Sequence, residues 1–356
     1  MNYILCDPIN IEKYYPFTFT RPLGEMRIFG GTIKERWEKL LGCKVSYLTR
    51  SYLSKLYPTT FKVGKNILIL SDSNIDLDTA KTFEFEVKQE DIDSKKKLKE
   101  EVENIINKFS VKSESGKIKT SLSYFFSISN FFYDLKSNID CSSNPFLNDD
   151  DGPIIIEEGV DIMEGAMVRG PVHICKGSII KMGAKIYGPT IIGPYCKIAG
   201  EVTNTIFLGY SNKAHDGFLG HSIIGEWCNI GAGTSNSNLK NNYETVKMWD
   251  YFDRKFKDSN EQFLGLYMGD HSKCSINTSF NTGTTIGVNC NVFGSGFPRN
   301  YIPSFSWGGA AGYRDYDIEK AFKTAKIVMK RRGVEMSSHY EDMLRKVFNM
   351  TSLFRT

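Results

Sequence analysis

The sequence predicts an α/β domain over residues 1–150, a left-handed parallel β-helix of hexapeptide repeats over 151–310, and a helical tail over 311–356. Three observations predict it. Short apolar strands alternate with helical stretches in the first part. Aliphatic residues recur at every sixth position in the second. A polar stretch rich in turn formers, 138–152 (SNIDCSSNPFLNDDD), separates the two.

In the first part, Tyr3-Ile4-Leu5-Cys6, Val45 to Leu48 and Ile67 to Leu70 read as strands. Thr32 to Leu41 carries Ile33, Trp37, Leu40 and Leu41 at helical spacing. Asp91 to Phe109 reads as a charged amphipathic helix with Leu98, Val102, Ile105, Ile106 and Phe109 on one side. Strands alternating with helices specify an α/β layer with a parallel sheet.

In the second part, Ile162, Val168, Ile174, Ile180, Ile186, Ile192 and Ile198 follow one another at six-residue intervals. Two residues before each stands a small or β-branched residue, from Val160 and Ala166 to Thr190 and Cys196. One earlier again stand Gly159, Gly165, Pro171, Gly177, Gly183, Pro189 and Tyr195, mostly turn formers. Neither an α-helix nor a hairpin sheet has period six; a stacked β-helix does. Each hexad supplies one short strand, three strands make a coil, and one aliphatic side chain per hexad fills the prism. The period resumes at Ile224 and Ile230, and out of phase at Met268, Cys274, Phe280, Ile286 and Val292. These slips imply insertions, the larger between Ser235 and Gln262, on the surface of the solenoid. Residues 317–349 read as helical, with Ile318, Ala321, Phe322, Ala325 and Val328 on one side, and would cap the open end of the stack.

Composition narrows the function classes. The chain is 41% hydrophobic and 24% charged with a net charge of +4, which reads as a soluble protein without the basic face of a nucleic-acid binder. The run Lys95, Lys96, Lys97 and Lys99 is answered at once by Glu100, Glu101 and Glu103. No apolar run approaches the roughly 18 residues a membrane span needs. The N-terminus shows no signal peptide, and the eight cysteines form no CxxC pair. The expectation is a cytoplasmic protein with reduced thiols, no membrane partner and no structural zinc.

The chemistry concentrates in Asn204 to Tyr243, which mixes Asn, His, Lys and Gly with the hexad anchors and holds His215 and His221. Histidine is the natural general base at neutral pH. Acyl transfer to an amine needs such a base, donors for the oxyanion and cations for any phosphate. Lys213, Asn229, Asn238 and Lys240 offer those groups. The same residues also read as solenoid corners with no task, since Asn tolerates the left-handed conformation. His173 reads as structural or exposed, and His271, in Met268-Gly269-Asp270-His271-Ser272-Lys273, as a second candidate site.

Lys213-Ala214-His215, Phe218-Leu219-Gly220 and Cys228-Asn229-Ile230-Gly231-Ala232-Gly233-Thr234 together resemble the bifunctional UDP-N-acetylglucosamine pyrophosphorylase/glucosamine-1-phosphate N-acetyltransferase family. The resemblance implies that His215 is the acetyl-transfer base, that acetyl-CoA is the donor, and that Phe218 and Asn229 contact the sugar. It further implies sugar phosphate and UTP as partners, and a homotrimer. The sequence departs from the pattern in four places. The aromatic residue lies one position closer to the Lys-Ala pair. It is Phe218, not a Tyr. Asn238 is followed by Leu239, and Asn204 stands where a substrate-binding Lys is usual. The acetyl acceptor therefore need not be glucosamine 1-phosphate.

Over nearly its whole length the chain also resembles a divergent Bacteroides-type family of sugar-phosphate nucleotidyltransferases. Pro16-Phe17-Thr18-Phe19-Thr20-Arg21-Pro22, Glu25-Met26-Arg27, Thr32 to Trp37, Lys181 to Tyr187, Gly269 to Lys273 and Pro303 to Gly309 carry that resemblance. It implies a nucleotidyltransferase-like first domain, reduced in size. Standard members follow their first strand with a glycine-rich phosphate loop; here Cys6-Asp7-Pro8 follows instead. Arg21 and Arg27 are then the candidates for the triphosphate. Asp72, in Leu68-Ile69-Leu70-Ser71-Asp72, is the candidate Mg²⁺ ligand, although Ser-Asp-Ser is equally a plain turn. Two alternatives stand beside the bifunctional reading: a nucleotidyltransferase whose β-helix only oligomerises it, and a non-catalytic sugar-nucleotide-binding scaffold.

Overall fold

The computed structural model describes residues 1–93, 122–127, 137 and 145–355. Most of the helix expected over 91–109, and residues 138–144 of the expected boundary, lie outside the described residues.

The N-terminal unit is built on a four-stranded sheet. Asn2–Cys6 lies between Val45–Leu48 and Gly64–Leu70, parallel to both, and Thr82–Val87 closes one edge antiparallel. Ile33–Leu41 is a helix because both its ends are specified. Thr32 and Glu35 form a reciprocal capping box, and Gly42 takes the left-handed conformation at φ 66°. The helix buries Ile33 and Trp37, whereas Leu40, expected on the inner side, is exposed. Between the first strand and this helix the chain makes three 3₁₀ turns, Ile11–Tyr14, Phe17–Phe19 and Leu23–Glu25, which bury Tyr14, Phe17, Phe19 and Leu23. These turns face the second unit: the Phe17 ring meets Tyr267 at 5.7 Å and Phe19 meets Tyr251 at 5.5 Å. One hydrophobic cluster runs from Leu5, Trp37 and Ile69 through to Ile191, Ile206 and Ile223, so the two units share a core.

The second unit is the parallel β-solenoid. Ile162, Val168, Ile174, Ile180, Ile186, Ile192 and Ile198 are each 2% exposed or less, and the resumed anchors from Ile224 to Val292 are buried with them. Face A is a nine-stranded sheet that includes Lys197–Ile198, Asn212–Lys213, Asn229–Ile230 and Lys273–Cys274. Face B carries Met167–Arg169, Lys185–Tyr187 and the first halves of Glu201–Gly209 and Phe218–Glu226. Face C carries Val172–Ile174, Thr190–Ile192 and the second halves of those two long strands, which bend through an edge and join faces B and C into one eleven-stranded sheet.

The edges differ in character. On the edge between faces C and A, Gly159 and Gly177 give way to Tyr195, Tyr210, Trp227 and His271, all at positive φ. Such φ values are costly for bulky side chains. Here they stack the rings coil on coil, with centroids 5.1, 4.1 and 6.2 Å apart. The edge between faces A and B keeps glycine, with Gly165, Gly183, Gly200, Gly217 and Gly233 at positive φ.

The large insertion leaves the solenoid after Ser235–Asn236 and forms the antiparallel hairpin Lys247–Asp250/Lys255–Asp258 before the coil resumes at Leu266. The tail is two helices, Ile318–Lys330 and Ser338–Met350, broken at Gly333. They pack along the side of the solenoid against Val288 and Phe305 and against Phe19 and Leu53 of the first unit. The end of the nine-stranded sheet is instead covered by Gly312–Asp315, antiparallel to Ser306–Gly309. Among the described cysteines only Cys43 is exposed. No described helix is long and apolar enough to cross a membrane.

Candidate functional site

His215 sits on the glycine edge, where face A turns into face B, and is exposed. Among the described residues no side chain hydrogen-bonds its ring. Its carbonyl is held by the Lys213 amino group at 2.9 Å.

Lys213 itself is not an open ligand. It pairs with Ile198 in an anchor position, points into the prism and is 1% exposed. Its ammonium also reaches the Ala199 carbonyl at 3.4 Å. Burial pushes its pKa down to about 8, with Asp216 and Cys274 opposing. A Cβ on Gly200 would lie 2.6 Å from the Gly217 carbonyl and 2.9 Å from this ammonium. The lysine therefore shapes the His215 loop from inside, which leaves the phosphate-holding task expected of it to other cations.

A second cluster forms where face B meets face C. The Phe218 ring and the Asn238 amide close over Gly220: a Cβ there would stand 2.6 and 2.8 Å from them. The Asn238 amide donates to His221 Nδ1 at 2.9 Å, which leaves the ring proton on Nε2. His221 stacks on Phe263 of the insertion at 5.1 Å. Burial pulls its pKa down, against Glu261, so the ring is neutral at pH 7. Asn236 bonds the Gly220 N–H and carbonyl at 2.9 and 3.0 Å, replacing the backbone of a missing rung. Asn204 occupies the corner one coil earlier. Thr203 and Thr205 pair with Gly220 and Ser222 on either side of it, and both corner residues have positive φ, 48° and 50°.

The predicted site residues thus divide. Phe218, Asn238 and Asn204 gather around His221, at the far end of a short strand from His215. Asn229 is exposed on face A, in register with Asn212 and Lys273, and Lys240 is half-buried in the insertion. Asn236 and Phe263 escaped the sequence reading. Asn236 is one Asn in a run of several, and Phe263 arrives from beyond the hairpin with no periodic signal. His271 is buried. Its Nε2 meets the Tyr340 hydroxyl at 3.0 Å, and burial, then Lys273 and Arg21, hold its pKa well down. It is a packed corner and not an open site.

In the first unit the two candidate arginines are spent on structure. Arg21, 4% exposed, pairs with Asp270 and, at 3.0 Å, with Glu226. Asp270 also accepts from Thr20 at 2.6 Å and from the Glu226 N–H at 2.8 Å. Arg27 donates to the Leu208 carbonyl at 2.8 Å and approaches the Cys175 sulfur at 3.8 Å. The triphosphate role expected of both is corrected by this geometry: the aromatic 3₁₀ turns drive their loop into the solenoid and take the guanidinium groups with it.

Asp72 differs. Its Oδ1 is buried and has no hydrogen-bond partner among the described residues. Its charge, after burial, helps raise the pKa of Cys6 and Tyr124. Neighbouring Asp7, by contrast, is filled by the Leu23 N–H, the Thr49 hydroxyl and Arg50. An orphaned carboxylate oxygen fits a hard cation, and Mg²⁺ asks for only one or two protein carboxylates.

A third cluster, Glu157, His173 and Cys175, brings metal-ligand atoms within 4.8 Å of one another. The Gly30 N–H lies 3.3 Å from His173 Nδ1, and Nε2 meets the Glu157 carboxylate at 2.8 Å, so both ring nitrogens are engaged. Neither nitrogen is free for a metal, and of the two readings, structural or exposed, the buried ring takes the first.

Residues 3–80 match the sequence family described as sugar nucleotidyl transferase. The chain is 30% identical over 187 residues to the bifunctional protein GlmU of Methanococcus aeolicus, covering 51% of this chain and 41% of that protein. It is 33% identical over 144 residues to the bifunctional sugar-1-phosphate nucleotidylyltransferase/acetyltransferase of Sulfurisphaera tokodaii, covering 40% of this chain and 35% of that one. It thus spans less than half the length of these relatives. Among solved structures, AntD, an N-acyltransferase from Bacillus cereus in complex with dTDP-4-amino-4,6-dideoxyglucose and coenzyme A, aligns at TM-score 0.30 and 12% identity. That alignment covers 48% of this chain and 91% of AntD. By sequence, then, the chain is similar over part of its length to bifunctional enzymes that pair sugar-1-phosphate nucleotidyl transfer with acetyl transfer.

Proposed function

We propose that this chain is a transferase of sugar-nucleotide biosynthesis whose solenoid moves an acetyl group from acetyl-CoA to the amine of an amino-sugar 1-phosphate. The observation that carries the reading is the exposed imidazole of His215, which no side chain among the described residues holds, on a loop pinned from within by Lys213. The amine nitrogen attacks the thioester carbonyl and His215 takes the proton it sheds. The C–S bond then breaks, and the CoA sulfur leaves as the free thiol after receiving a proton. Phe218 offers an apolar wall to the sugar, and the Asn238–His221 pair presents a fixed N–H donor. Lys240 is the cation available for the sugar phosphate. A closed homotrimer, which the resemblance implies, is part of the same proposal.

Nucleotidyl transfer from UTP is the reading for the first unit. Asp72 would hold Mg²⁺, whose bound charge neutralises a triphosphate. The commitment of Arg21 and Arg27 to the solenoid favours the second reading, a first unit that binds a sugar nucleotide without turning it over.

The test follows free thiol release from acetyl-CoA with glucosamine 1-phosphate, beside His215→Ala. Release that vanishes in the variant supports the acetyltransferase. No release by a folded protein that still binds CoA points to another acceptor. No release and no CoA binding sinks the reading.

A further inference from the structure

The helical tail carries cations that its own acids leave alone. On Ile318–Lys330 and Ser338–Met350, Lys326 pairs with Glu341 at 2.5 Å, and Arg345 with Glu319 and Glu341 at 3.0 and 3.5 Å. At the turn between the helices Arg331 and Arg332 have no carboxylate partner among the described residues. The turn is seated on face A of the solenoid, where Arg332 Nη2 donates to Asn212 Oδ1 at 2.7 Å. Asn212 is in register with Lys197 on one side and Asn229 on the other. Lys197 is in register with Ile179, and Lys181 stands two residues beyond Ile179 on the same face. Neither lysine has an ion-pair partner among the described residues, and Lys181, Lys197 and Arg332 are all half-buried.

Four cations from two distant parts of the chain therefore converge on one patch of wall. The acids nearest in register and in chain, Asp161 opposite Ile179 and Glu335 in the tail turn, form no ion pair with any of them. Lys197 registers this: Arg332 first, then partial burial, then Lys181 and Arg331, hold its pKa below the ordinary lysine value. Like charges gathered without counter-charge are the electrostatic footprint of an anion site. The mixture is also chemically suited to phosphate, since an arginine fork binds two oxygens at once and a lysine supplies a movable point charge.

We propose that Lys181, Lys197, Arg331 and Arg332, with the amides of Asn212 and Asn229, form a binding site for the pyrophosphate-bearing end of a nucleotide ligand, assembled by docking the tail turn onto face A. The occupant follows from position. Asn212 lies three residues before His215, which at the reach of an extended chain is about 10 Å. A carrier whose phosphates rest here can present its acyl end to the His215 edge, so coenzyme A is the favoured source. That identification rests on the acetyl-transfer reading; the anion site does not. Asn229, read from the sequence as a sugar contact, is reassigned to this patch.

The full chain is titrated calorimetrically, without Mg²⁺, with coenzyme A, UTP and inorganic pyrophosphate, as wild type and as the Lys197→Glu/Arg332→Glu double variant. Lys181→Gln/Lys197→Gln serves as the milder pair should charge reversal unseat the tail, which circular dichroism would show. The site predicts that pyrophosphate and coenzyme A both bind the wild type and weaken at least tenfold in the variants. Pyrophosphate binding lost in the variants, with coenzyme A not bound at all, upholds the anion site and removes the acyl carrier. UTP weakened while coenzyme A is unaffected upholds the site with a nucleotide occupant. Coenzyme A bound equally by wild type and variants, with pyrophosphate unaffected, overturns the proposal and leaves acetyl transfer standing. Binding of none of the three overturns it outright.

Discussion

Two edges of the same solenoid pass through the same coils and bend through the same left-handed backbone conformation, yet they do opposite things. The ring edge places Tyr195, Tyr210, Trp227 and His271 at its corners, stacks them and buries the last two under neighbouring structure. The glycine edge places Gly165, Gly183, Gly200, Gly217 and Gly233 at its corners and leaves His215 in the open. A corner with a side chain has a task in packing. A corner without one lets neighbouring coils close directly on it, as the Gly217 carbonyl does on Gly200, and the histidine beside it stays outside the packing. The contrast separates two histidines that the sequence alone offered as rivals.

The sharpest way to break this contrast is to exchange the fates of the two residues. His215→Ala should abolish acetyl transfer by a factor on the order of 10²–10⁴, and leave stability within about 0.5 kcal/mol. Turnover and urea unfolding measured on one preparation test both halves. His271→Ala should do the reverse, costing about 1–3 kcal/mol through the lost Tyr340 bond and ring stack. Activity per folded molecule should be kept.

Next in size is the lock between the units. Arg21→Ala strands Asp270, which is fully buried, without its cation. Removing one partner of a buried pair costs about 3–5 kcal/mol. Denaturant unfolding should show that loss, and an unchanged midpoint would mean that Asp270 is held by Thr20 and the backbone alone.

Smaller is the pH response of the interior lysines. Lys213 and Lys273 have folded pKa values near 8, below the ordinary lysine value, because burial disfavours their charge. Between pH 8 and about 10.4 the unfolded chain therefore binds more protons than the folded one, so these groups make stability rise with pH there. Each contributes a slope of up to about 1.4 kcal/mol per pH unit. Lys213→Met should remove one share, so the variant's stability should rise less steeply with pH than the wild type's across that window.

Least is Gly220→Ala. The new methyl pushes against Phe218 and Asn238, both able to move, so a few-fold rise in the KM for the acceptor is expected with little change in kcat.

The sequence carried the fold well wherever spacing alone decides packing. The unbroken hexads from Ile162 to Ile198 are buried as read, since period six admits no other stacking. It failed where the count slips. Lys213 follows the anchor Ile198 by fifteen residues, out of step with the hexad, and so read as a surface cation when register makes it an anchor. Arg21 read as a ligand because a sequence shows charge and not enclosure; its partner Asp270 lies 249 residues away. Phe218 and Asn229 stand close in the chain but fall on different faces, because a β-helix turns a corner every few residues. The candidate site was legible as a set of residues, and its geometry required the coil.

The paired bonds of Asn236 to Gly220 have a consequence beyond the site. A side-chain amide has the same donor and acceptor as a peptide unit, so one residue seals the wall where the main chain departs. The buried Val246, Met248 and Tyr251 still tie the excursion to the shared core, so its freedom lies at the exposed hairpin tip. Exchanging residues 252–256 should leave the coils on either side zipped. This makes the position a natural graft point, where evolution or design can change which acceptor is recognised without rebuilding the scaffold that holds it.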